Sequence, residues 1–135
     1  MLTSPESILA VETLLSLPLI LLGLSHIFQK QMWVDFFSDL AAKGHPGVVW
    51  WTFMLELWPA MLIVVFHQDW SWPGIFVTAY GHILLAKVAV SLLYPPLGLK
   101  SLEQADRSGP VGFYLAGAAL IVIGGLCGSE SLLVI

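Results

Sequence analysis

Charge is what this chain lacks. Only 10% of its 135 residues are Asp, Glu, Lys or Arg, whereas 58% are apolar. Soluble domains average about 25% charged residues. With a mean hydropathy of +0.88 there is too little polar surface to cover a globule, and the expected solvent is lipid. Basic clusters are missing as well, and the net charge is −4, which leaves nucleic-acid binding without support. A single cysteine, Cys127, excludes an internal disulfide and reads as a small packing residue. No Lys or Arg precedes the first apolar run, so it does not read as a secretory signal and is expected to stay in the mature protein.

What is present is four long apolar runs, about residues 8–28, 47–67, 74–94 and 111–127. A bilayer core takes roughly 20 helical residues, and backbone groups in lipid must be satisfied within the segment. The sequence therefore predicts an all-α fold: one integral membrane bundle of four transmembrane helices. No alternation suggests a barrel. Lys30 and Lys43 lie between spans one and two, and Lys100 and Arg107 between spans three and four. By the positive-inside rule, loops 29–46 and 95–110 are cytoplasmic, and both termini and the 68–73 turn are outside. The expected location is a bacterial inner membrane.

Between spans one and two, about residues 31–43 form an amphipathic helix, with Trp33, Phe36, Phe37 and Leu40 on one face and Asp35, Ser38 and Asp39 opposite. It reads as an interfacial anchor, ended by Gly44 and Pro46; the sharper alternative is a lid over a cytoplasm-side pocket. In the third loop, Pro95 and Pro96 stop a helix, and Ser101 with Gln104 offers a weak capping box for a short one. Span four stacks Gly112, Ala116 and Ala119, which suits close packing within the bundle or against a partner.

Ionisable residues at membrane depth are costly and should face inward. Glu12, Ser16, Leu19, Gly23 and His26 share one face of span one; Thr52, Glu56, Ala60, Ile63 and His67 share one of span two. Span three carries two polar stripes, one with Tyr80, Lys87 and Ser91, the other with Thr78 and His82. At about 1.5 Å per residue, Glu56 and Lys87 lie roughly 14 Å and 10 Å above the cytoplasmic boundary. That predicts a Glu56–Lys87 ion pair between antiparallel helices, supported by Tyr80 or Ser91. The alternative is a Lys87 that snorkels and a protonated Glu56. Pro59 frees the Leu55 carbonyl and kinks the helix beside Glu56. His82 and His67 differ too much in depth to share one haem iron, and His26 with His45 makes a poor metal site. No metal ligation and no catalytic residue is expected. Contacts to a quinone or lipid would fall to Tyr80, His82, Trp58, Thr52 and His26.

"GLSHIF" closing span one, "KGHPG" before span two and a glutamate inside it resemble the DoxX-like family of small four-helix membrane proteins. The matching positions are Gly23, His26, Gly44, Pro46 and Glu56, all in the first half of the chain. The resemblance implies a four-helix membrane fold. It also implies kinship with proteins that include membrane subunits of thiosulfate:quinone oxidoreductases. The first functional expectation is a non-catalytic accessory subunit of a larger respiratory or photosynthetic complex. It would contact other membrane subunits through Gly112, Ala116 and Ala119. A quinone-linked redox component and a small proton-coupled transporter are the alternatives.

Overall fold

A computed structural model describes the backbone of residues 2–134 and the side chains of residues 2–129. Among the described residues all regular structure is helical. We number the helices α1 (Pro5–Phe28), α2 (Lys30–Ala42), α3 (His45–Phe66), α4 (Ile75–Leu93) and α5 (Pro95–Val134). Four of them, all but α2, are long and apolar enough to cross a membrane. A reciprocal capping box starts α1: the Ser4 and Ser7 hydroxyls each accept from the other's backbone N–H, ahead of a first-turn Pro5. The helix runs on through Pro18 to Phe28. Gly44, at φ 65°, then turns the chain from α2 into α3, a backbone region that a Cβ disfavours.

Helix α5 is bent at Gly109 (φ 61°) into an arm of residues 95–108 and an arm of residues 110–134. The first arm differs from expectation. Helix resumes at Pro95, one residue after the non-helical Tyr94, rather than beyond Ser101. Two consecutive prolines end α4, but proline also suits a first helical turn, so the same pair starts the next helix. Ser101 is consequently an exposed mid-helix residue and caps nothing.

The helices bury the stripes of residues that share a face. On α1 these include Glu12, Leu19, Gly23 and His26; on α3 they are Thr52, Glu56, Ala60 and Ile63, alongside Gly47 and Val48. On α4 the buried set is Val77, Thr78, Gly81, Val88 and Ser91, which falls between the two polar stripes read from sequence. One apolar cluster, around Leu15, Ile63, Val77 and Cys127, fills the half toward the 67–74 turn. A second, around Phe37, Leu40, Val48, Leu102 and Phe113, fills the half toward the long loops. Phe37 and Leu40 are buried in that second cluster, and Trp33 and Phe36 pack against it. The apolar face of α2 is thus spent on the bundle itself.

Helices α1 and α5 approach through glycine. A Cβ on Gly23 would lie 2.6 Å from the Gly117 carbonyl oxygen, and one on Gly124 would lie 2.9 Å from the Ser16 carbonyl oxygen. The stripe that packs inside the bundle is therefore Gly117 and Gly124, while Ala116 and Ala119 are exposed. Close approach of backbones is the device that membrane helices use in place of a hydrophobic drive. Gly117→Val is expected to destabilise the bundle by about 1–3 kcal/mol through overpacking. Gly125→Val, on the open side of the same helix with nothing within 4 Å, is the matched control and should leave unfolding in detergent unchanged.

Candidate functional site

Two internal polar centres lie at opposite ends of the bundle. At the loop end, Glu56 sits at the last position of a π-helical turn, Thr52–Glu56, inserted in α3. The Leu57 N–H donates to the Thr52 carbonyl, a five-residue step. Pro59, three residues on, lacks an N–H for the Leu55 carbonyl. The sequence indicates a kink there; the structure resolves the conflict as one widened turn. Glu56 leaves that turn with its side chain inward, and Lys87 of α4 donates to its Oε1. Glu56 is 8% exposed, while the Lys87 side chain is 45% exposed, so the lysine reaches in from an open edge. The Oε2 atom is buried and accepts no hydrogen bond from any described residue.

A cavity of about 210 Å³ adjoins the pair. Its polar wall is Glu56, Lys87, His26, Ser101 and Ser108, and its apolar wall includes Phe37, Trp51 and Phe113. Beside it lies a void of about 10 Å³ edged by Thr52, Ser91 and Glu56, near the least that holds one water. His26 is fixed from two sides. Its Nδ1 faces the Leu22 carbonyl at 2.8 Å, which makes Nδ1 the protonated nitrogen, and its ring stacks on Trp33 at 4.1 Å and 16°. Trp33 is itself held by its indole N–H donating to Ser25 Oγ at 3.0 Å. A larger groove, of about 630 Å³, runs over the outside between Phe36, Lys43, Pro46 and Trp50. It lies away from both ion pairs, and we place the chemistry in the smaller, internal cavity.

Of the residues singled out for ligand contact, the structure brings His26 to this cavity and Thr52 to the neighbouring void. Trp58 points outward and is 56% exposed. Tyr80 packs against the other apolar cluster. His82 donates from Nδ1 to its own helix at the Thr78 carbonyl and lies against Trp70, 5.3 Å away. Those three do not line the cavity.

The turn-end centre joins residues that sequence reasoning left apart. His67 reads as a boundary residue, yet it is fully buried, between Glu12 of α1 and Thr78 of α4. The Thr78 hydroxyl has one proton, which it donates to the Asp69 carbonyl at 2.7 Å. It can then only accept at His67 Nδ1, 3.0 Å away, so Nδ1 is protonated. The contact between His67 Nε2 and Glu12 Oε1, at 2.8 Å, therefore holds one proton between two groups. The acid and the imidazole thus meet as partners in a fully buried setting, where a partnered group costs less than a lone one. The signal was in the sequence: Glu12 and His67 each end a buried polar stripe on the same side.

The turn adds an acid-sensitive element. The Ser71 hydroxyl and N–H both donate to Asp69 Oδ1, at 2.6 and 2.9 Å, which holds the Asp69 carboxyl below the usual carboxylate range. A depressed folded pKa gives stability that is complete at neutral pH and lost as pH falls through that pKa. Asp69→Asn should remove the pH dependence of turn opening below about pH 4, followed by hydrogen exchange of the Ser71 amide. In the buried centre, Glu12→Ala strands His67 and should cost about 3–5 kcal/mol of unfolding free energy in detergent. Glu12→Gln keeps a polar partner and should cost clearly less.

Among the described residues, no group of three or more His, Cys, Asp or Glu side chains is placed to hold a metal ion. Comparison with family models, with curated proteins and with solved structures finds no match to this chain.

Proposed function

We propose that the protein is an integral membrane, non-catalytic accessory subunit of a larger membrane assembly of the respiratory or photosynthetic kind. One observation carries the reading. Two acid–base couples tie the helices together, Lys87 with Glu56 and His67 with Glu12, each across a helix–helix boundary. Groups used in this way fix a scaffold. The exposed Ala116 and Ala119 on α5 offer a flat outer face for a neighbouring span. The resemblance to DoxX-like proteins supports the four-span reading. Its residues Gly23, Gly44 and Glu56 serve here as a close helix contact, a positive-φ turn and the acid of an ion pair.

In this reading α2 and the 95–108 arm lie along the cytoplasmic interface, with Lys30, Lys43, Lys100 and Arg107 on that side. A quinone-linked redox role and a proton-coupled carrier both draw on Glu56, but Trp58, Tyr80 and His82 lend them no convergent wall. Two measurements check the proposal. Solubilised gently from its native membrane, the tagged chain should migrate with other membrane chains; recovery as a lone 14.8 kDa species overturns the subunit reading. In sealed cells, a membrane-impermeant thiol reagent should label Ser71→Cys and spare Lys43→Cys; the reverse pattern overturns the orientation.

A further inference from the structure

We propose that the loop-end cavity binds the neutral, hydroxyl-bearing head group of a membrane amphiphile. The inference does not rest on the subunit reading, but it draws on the same exposed Ala116, so it is tested on the isolated chain. It starts from the polar wall of the cavity, to which His26, Glu56, Lys87 and Ser101 contribute. With His26 Nδ1 held by the Leu22 carbonyl, Nε2 is left as an acceptor, and among the described residues nothing donates to it. The Lys87 amine spends one N–H on Glu56 Oε1 and has two to give, and the Ser101 hydroxyl can donate or accept. A wall with acceptors and donors side by side fits a group that does both, and an O–H does.

Charge narrows the class. Glu56 and Lys87 already cancel. An ammonium head would leave an excess positive charge in the cavity and a phosphate an excess negative one, each without a counter-ion. Size narrows it further. About 210 Å³ lies below the usual range of roughly 300–1,000 Å³ for sites that swallow a whole ligand. Only a head group fits, so its tail must leave. The exposed lining residues, Lys87, Ser101, Ser108 and Ala116, mark the mouth. Ala116 is on the outer face of the spanning arm, so a tail leaving there runs into hydrocarbon. Two kinds of amphiphile share this chemistry, an alkylated phenol and a diacylglycerol.

The test uses the full chain in phosphatidylcholine nanodiscs, titrated with a long-chain alkylphenol, its methyl ether, diacylglycerol, or an alkyl trimethylammonium of equal length. Binding is read from tryptophan fluorescence and thermal stability. Saturable binding of the phenol or the diacylglycerol, weakened at least tenfold by methylating the O–H, is expected, and the arm that binds identifies the source. Ala116→Trp should close the mouth and abolish binding without lowering the melting temperature of the unliganded protein. Ala119→Trp, exposed on the same helix, should bind as wild type. Equal binding of the ether, stronger binding of the ammonium, no saturable binding in either hydroxyl arm, or full binding by Ala116→Trp each overturns the proposal.

Discussion

Lys87 meets Glu56 across the α3–α4 boundary, and much of the loop half follows from that contact. A lone carboxylate or ammonium among apolar side chains is costly, whereas a close pair offsets part of that cost. The pair must therefore form, and forming it fixes how far α3 and α4 slide along one another. It also sets the rotation of α3, because Glu56 points inward only if the helix presents the Thr52–Ala60 stripe to the bundle. The π turn is the local price of that rotation. One widened turn absorbs the missing hydrogen bond at Pro59 and delivers the carboxylate to the cavity edge.

At the other end the same logic uses a different acid–base couple. Glu12, His67 and Thr78 come from α1, the end of α3 and α4, so one buried chain of hydrogen bonds ties three elements. The Asp69 carbonyl extends that chain into the turn, and the Ser7 hydroxyl adds a bond to the Phe66 carbonyl at 3.1 Å. Helix α5 is held by glycine contacts along α1, by Cys127 in the turn-end cluster and by Leu102 and Phe113 in the loop-end cluster. The bundle thus uses polar pairing for register and bare backbone for proximity.

The helix number and the faces of α1 and α3 were legible because a 100° step per residue converts spacing directly into direction. So was the reach of Lys87 toward Glu56, since both depths follow from helix rise. The rest depended on distances between helices that no spacing encodes. His67 has a polar residue's hydropathy and stands at a span's end, so only the position of Glu12 reveals it as interior. Gly117 and Ala116 are neighbours of nearly equal size, and which one meets α1 depends on a helix rotation set elsewhere. The two prolines at 95 and 96 are read by propensity as a stop. Whether a stop is also a start is decided by Leu99 and Leu102, which have somewhere to pack.

Ile63 is wholly buried, and Gly81 opposite it has no room for a side chain, since a Cβ there would come within 2.2 Å of Ile63. Along α3 this contact falls between Glu56 and His67, and along α4 between Lys87 and Thr78. It keeps a layer of direct apolar contact on this boundary between the two acid–base couples. A larger residue at 81 would part the helices and breach that layer; a smaller one at 63 would thin it.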